Sequence, residues 1–136
     1  MTTRHIEDLW APRVLSIVRI VAALLLWQYG LQKMLGFPPG RDAPEVFSMT
    51  WFAGVLEFVL CPLLLVGLLT RPVAFILAGE MAFAYWLAHA PRSLYPVLNG
   101  GNLAILFCFV FLYLAAAGGG SWSLDALLGR RERQRA

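Results

Sequence analysis

Between Trp51 and Leu69 the chain runs for 19 residues with a single charge, Glu57. A helix rises 1.5 Å per residue and needs about 20 apolar residues to cross roughly 30 Å of hydrocarbon. Three further blocks of similar length surround it: about 14–35, 72–90 and 99–117. They carry few charges: Arg19 and Lys33 in the first, Glu80 in the third. Soluble domains are about 45–50% apolar and about 25% charged, whereas this chain is 60% apolar and 14% charged. Four spans leave little chain for anything else. The blocks are continuous apolar runs without period-two alternation, which argues against a β-barrel. The reading is therefore an all-α integral membrane four-helix bundle, a single domain over 1–136.

The first block is too long for a cleaved leader, and Trp27-Gln28-Tyr29-Gly30 offers no small-residue cleavage site. Pro72 opens the third block at a position that favours proline, and Gly118-Gly119-Gly120 closes the fourth. Basic residues set the orientation, because cytoplasmic loops carry the excess of Lys and Arg. Seven lie on the side shared by both termini and the second-to-third loop, against three on the other, with Arg19 inside the membrane. Both termini are thus expected in the cytoplasm. Trp10, Trp51, Tyr95 and Trp122 fall near span ends, where amphipathic rings favour the headgroup region.

Outside the spans, His5–Trp10 is expected as a short interfacial turn. Proline sets the shape of the stiff outer loop 36–40. The stretch from Ser121 to Leu128 has the pattern of an amphipathic helix in the inner interface, with Ser121 or Ser123 as its cap. The basic tail, 129–136, would lie against the anionic inner leaflet. Nothing in the chain suggests nucleic-acid binding, and no internal repeat is evident.

A carboxylate at membrane depth costs about 2.5–3.5 kcal/mol on the lenient scales, so Glu57 and Glu80 each call for a partner or a task. At 100° per residue, Arg19, Ala23, Leu26, Gly30 and Lys33 share one stripe, with Gln28 and Gln32 well round from it. Ala53, Gly54, Glu57 and Cys61 share a face of the second span, where small residues permit close helix contact. Depth suggests an outer pair, Lys33 with Glu57, and an inner structural pair, Arg19 with Glu80. It also groups Gln28, Lys33, Glu57, Asn99 and Asn102 in the outer half, bordered by Trp27 and Trp51. Aromatic rings with a few convergent polar groups suit a flat amphipathic ligand such as a quinone, and Glu57 is the candidate catalytic group. The alternative is that these groups only hold four helices in register.

His89 has only His5 for company, on the opposite predicted side, so no metal or haem site is expected. Cys61 and Cys108 form no C-x-x-C motif and suit buried packing. No cofactor is expected in the chain itself.

Several segments together resemble the DoxX family: Gly30-Leu31-Gln32-Lys33, Trp51 to Glu57, Leu64 to Arg71, Asn99-Gly100-Gly101-Asn102, and Gly118 to Asp125. The resemblance spans nearly the whole chain in the right order. It implies a four-helix protein of a bacterial-type inner membrane, linked to quinone-dependent sulfur oxidation, terminal oxidases or redox-stress complexes. Lys33 and Glu57 match the family's helix-one lysine and helix-two glutamate. Where the family often has Gly-Gly-Glu, this chain has Gly100-Gly101-Asn102, so any proton chemistry of that acid would be reduced here or moved to Glu57. The expectation is a redox-associated subunit binding quinone or a similar lipid-soluble ligand, its partners the bilayer and a redox protein or a second copy. The rival is a non-catalytic assembly or chaperone-like subunit.

Overall fold

Thr3 to Leu35 form one continuous helix of 33 residues, α1, in a computed structural model that describes residues 3–135. Residues 1, 2 and 136, including the last residue of the predicted basic tail, lie outside the described residues. At 1.5 Å per residue α1 is about 50 Å long, well beyond a hydrocarbon core. The interfacial turn expected at His5–Trp10 is instead a helical extension. The good helix formers Glu7, Leu9 and Ala11 carry the register through Pro12, whose ring removes one N–H.

Met49–Val66 form α2. Ser48 starts it, its hydroxyl accepting from the Trp51 N–H at 3.1 Å. Gly67 ends it with φ +73°, its N–H bonded to the Leu64 carbonyl while Leu68 N–H reaches back to Leu63. That paired closure needs a left-handed residue, which glycine supplies without a Cβ penalty. The predicted span to Leu69 therefore stops three residues early.

Thr70–Ala84 form α3, continued by a π turn at Tyr85–His89 and a 3-10 turn at Ala90–Arg92. The predicted fourth span is divided in two. A single turn, α4 (Pro96–Asn99), precedes α5 (Asn102–Ala117), and Gly100 between them has φ +71°. Three helical segments are long and apolar enough to cross a membrane: Thr3–Leu35, Met49–Val66 and Thr70–Arg92. The apolar α5 has 16 residues. All regular elements among the described residues are helical.

Helix α1 packs along α2 and α3 along α5, with α2 against α3 and a thinner contact between α1 and α5. The first pairing is close because it is lined with glycine. A Cβ on Gly30 would come within 2.7–2.9 Å of Phe58 N and of Glu57, and one on Gly54 within 2.8 Å of Lys33 Cβ. Phe107 and Phe111 stack at 5.5 Å in the core of the bundle. Phe75, Phe83 and Phe109 are more than 60% exposed, an outward apolar surface that suits lipid rather than water.

The last helix, α6 (Leu124–Arg135), bears out the expected capping by Ser123, whose hydroxyl accepts from the Ala126 N–H at 3.1 Å. Its first turn also completes a different helix. Leu69, at the start of α3, makes no side-chain cap of its own. The Asp125 carboxylate fills that role, accepting from Leu69 N at 2.9 Å and Thr70 N at 2.8 Å, while Asp125 N donates to Gly67 O. A negative group at a helix N-terminus satisfies orphan donors and the helix dipole together. Asp125→Ala should lower stability by about 1–2 kcal/mol, the usual range for a lost cap. It should also expose Arg130 and Arg131 to faster tryptic cleavage; unchanged cleavage and melting would refute the cap.

Candidate functional site

Two polar centres lie in the bundle, one built around Lys33 and the other around Arg19. Gly54 and Gly30 bring α1 and α2 close enough for Lys33 Nζ to donate to both carboxylate oxygens of Glu57, at 2.7 and 2.9 Å. Glu57 is 2% exposed and the Lys33 side chain 11%. This is the outer pair expected from depth in the sequence. Glu80, half-buried on α3, adds a second carboxyl to the same electrostatic neighbourhood, beside Glu57. Both Glu80 oxygens are buried, and neither has a hydrogen-bond partner. Cys61, buried one turn beyond Glu57, borders the cluster. Cys61 and Cys108 are both free thiols.

The expected Arg19–Glu80 pair is not formed. Arg19, 1% exposed, donates to the carbonyls of Gly119, of Trp122 at 2.8 Å and of Leu65 at 3.4 Å. Its level in the bundle is that of Gly67, whose Cβ, if present, would meet the guanidinium. Glu80 lies ten residues into α3 from Thr70, about 15 Å along the axis. At Arg19's level the available acceptors are the end of α2 and the returning segment Gly118–Ser123. The C-terminal carbonyls of a helix are a natural place for a cation. Ser16 reinforces the join: its hydroxyl donates to Pro12 O at 2.9 Å and accepts from the Trp122 N–H at 3.0 Å. Gly119 and Gly120 leave no room for side chains there, since a Cβ would fall within 3.0 Å of Thr70 Oγ1, Ser123 Cβ or Ser16 Oγ. This centre is a structural clasp.

The remaining predicted ligand residues are dispersed. Gln28 is exposed on a different face of α1, its amide directed to Leu24 O at 3.5 Å. It lines a groove of about 290 Å³ between α1 and α5 with Leu25, Tyr29, Gln32, Leu103 and Phe107. Gln32 donates to Pro38 O at 3.0 Å across the mouth of that groove. Gln32 lines the groove but was not among the ligand residues expected from the sequence, although its i, i+4 spacing from Gln28 placed both on one face. Asn99 is 2% exposed and engaged locally: Oδ1 accepts from Gly101 N at 2.8 Å and Nδ2 donates to Ser93 O at 2.9 Å. His89 Nδ1 lies 3.0 Å from Asn99 O, a further tie in the same turn. Asn102 is exposed at the start of α5. Trp51 packs tilted against Phe47 and edge-to-face against Phe52, with ring centroids at 5.3 and 5.2 Å, by the first loop. Trp27 is half-buried against the core, its Nε1 buried without a partner. Among the described residues no group of three or more His, Cys, Asp or Glu could hold a metal ion.

The chain is 39% identical over 122 residues to an uncharacterized protein of Haemophilus influenzae, covering 85% of this chain and 91% of the relative. It is 30% identical over 148 residues to an uncharacterized membrane protein of Mycobacterium tuberculosis, covering 88% of this chain and 84% of that protein. No solved structure matches it. The DoxX family model matches residues 14–90, the stretch that contains Lys33, Glu57 and Glu80. With three helices of membrane-crossing length, a lysine–glutamate pair at the expected positions and these relatives, the chain is a membrane protein that belongs to the DoxX family.

Proposed function

We propose that this protein is a four-span inner-membrane subunit of a redox-linked system, with both termini cytoplasmic, that holds a quinone or similar lipid-soluble ligand in the groove between α1 and α5. The observation that carries the reading is a juxtaposition on α1: a groove bearing Gln28 and Gln32 on one face, and a buried charge cluster, Lys33 with Glu57, on the other. A volume of about 290 Å³ lies at the lower limit of small-molecule sites, so it suits a single ring whose tail continues into lipid. The amide donors of Gln28 and Gln32 would bond the ring carbonyls, and Tyr29 and Phe107 would border it. The ligand thus sits one face away from Glu57 rather than on it. The chain has no electron carrier of its own, so electrons would pass through the ligand or a partner.

Gentle extraction in native lipid, followed by mass spectrometry of retained small molecules, tests this. Quinone should be retained by the parent protein and bound at least tenfold more weakly by the double variant Gln28→Leu/Gln32→Leu. Absence of quinone from both preparations would sink the proposal. A second reading, a non-catalytic assembly subunit, draws support from the bonds that Arg19 and Lys33 make across helices without any ligand. It is favoured if Glu57→Gln lowers only the melting temperature while a partner still co-purifies.

A further inference from the structure

The Lys33 cluster contains one base and two acids, and the second acid has no protein partner. Lys33 Nζ bonds both oxygens of Glu57. The Glu80 oxygens are buried beside that pair without a donor of any kind. Arg19, the one cation expected to neutralise Glu80, is committed to backbone carbonyls at the far end of the bundle. The surroundings offer no substitute. Helix α1 contributes Lys33 and α2 contributes Glu57 and Cys61, while Arg41 reaches Glu57 only from the exposed first loop. Helix α5 has Cys108 and the exposed Tyr113 as its only titratable side chains, and the adjoining π turn has Tyr85 and His89. His89 is held at Asn99 O.

We infer that Glu57 and Glu80 hold one proton between them beside the Lys33 ammonium, making the cluster a buried proton-binding site whose occupied form is electrically neutral. An ionised carboxylate without donors in a dry interior costs several kcal/mol. Two neighbouring carboxyls relieve that cost by sharing a proton, which also supplies the missing O–H donor. The titration belongs to the pair rather than to either residue. Uptake forms one O–H bond with a proton from water, and release returns the second carboxylate; no electron is exchanged. The inference deepens the redox-linked reading, because it names a species that the cluster would carry while a ligand in the groove changes its own protonation.

Infrared spectroscopy of the carboxylic-acid carbonyl stretch tests it directly, on the full chain in lipid, at neutral pH, without quinone and in sodium-free buffer. The assignment is clean, because the other six acids are either exposed or, for Asp125, bonded to backbone N–H groups. One protonated-carboxyl band per chain is expected, shifting in D₂O. Glu80→Gln and Glu57→Gln should each abolish it, since either leaves one acid facing one lysine. Lys33→Met should strengthen it about twofold; should that variant not fold, the two isosteric glutamine variants decide the matter. Absence of the band from the parent protein, or its survival in both glutamine variants, overturns the inference. A band that sodium removes marks a cation site instead and equally overturns it. Because no quinone is present, this outcome is independent of whether the groove binds one.

Discussion

Arg19→Leu is expected to remove roughly 4 kcal/mol of stability, one of the two largest effects of a single substitution in the bundle. A hydrogen bond from a charged donor contributes about 1.5–3 kcal/mol, and Arg19 donates to the carbonyls of Gly119, Trp122 and Leu65. Release of the desolvated charge offsets part of that loss. Native proteins are stable by only about 5–15 kcal/mol, so the variant stands near the edge of folding. Arg19→Lys should recover less than half, because a single ammonium cannot span acceptors on two segments as a planar guanidinium does. Equilibrium unfolding in detergent, followed by helical circular dichroism, measures both. A loss below about 1 kcal/mol would contradict a structural clasp by the lower end of that hydrogen-bond range.

Lys33→Met should cost about 3–5 kcal/mol, the range seen when one member of a buried pair is removed and the other is left alone. The companion experiment separates the pair from its residues. Replacing both members by apolar groups of similar size is often neutral or stabilising, so Lys33→Met/Glu57→Leu should regain most of the loss. The non-additivity expected for directly bonded residues is about 0.5–3 kcal/mol. Additive losses in the same detergent would mean that the 2.7 Å contact contributes nothing to folding, and that Lys33 stabilises the bundle by some other route.

The Lys33–Glu57 pair was legible in the sequence because three independent constraints agreed. Both residues fall on glycine-bearing stripes, both lie in the same half of the bundle, and their charges are opposite. Arg19 was legible only as a buried cation. Its acceptors are carbonyls, which every residue carries and which no side-chain pattern reveals. The break at Gly100–Gly101 also escaped the hydropathy reading, which started the fourth span at Asn99 and so took the Asn-Gly-Gly-Asn run into the helix, whereas Asn99 closes a turn there with its own amide. Gln28 was grouped with Lys33 by depth, although helical phase already set the two apart. The structure follows phase, and depth alone does not bring residues together.

The clasp at Arg19 also dictates an order of events during biosynthesis. Gly119 emerges from the ribosome 100 residues after Arg19, an interval of roughly 5–20 s at the usual 5–20 residues per second. Until then the guanidinium lacks those carbonyls and has to find water or headgroups along the length of its own side chain. Helix α1 is therefore the last to settle, although it is made before its neighbours in the bundle, and a nascent chain stalled short of its triple-glycine segment would present quality-control proteases with a loose α1–α2 hairpin.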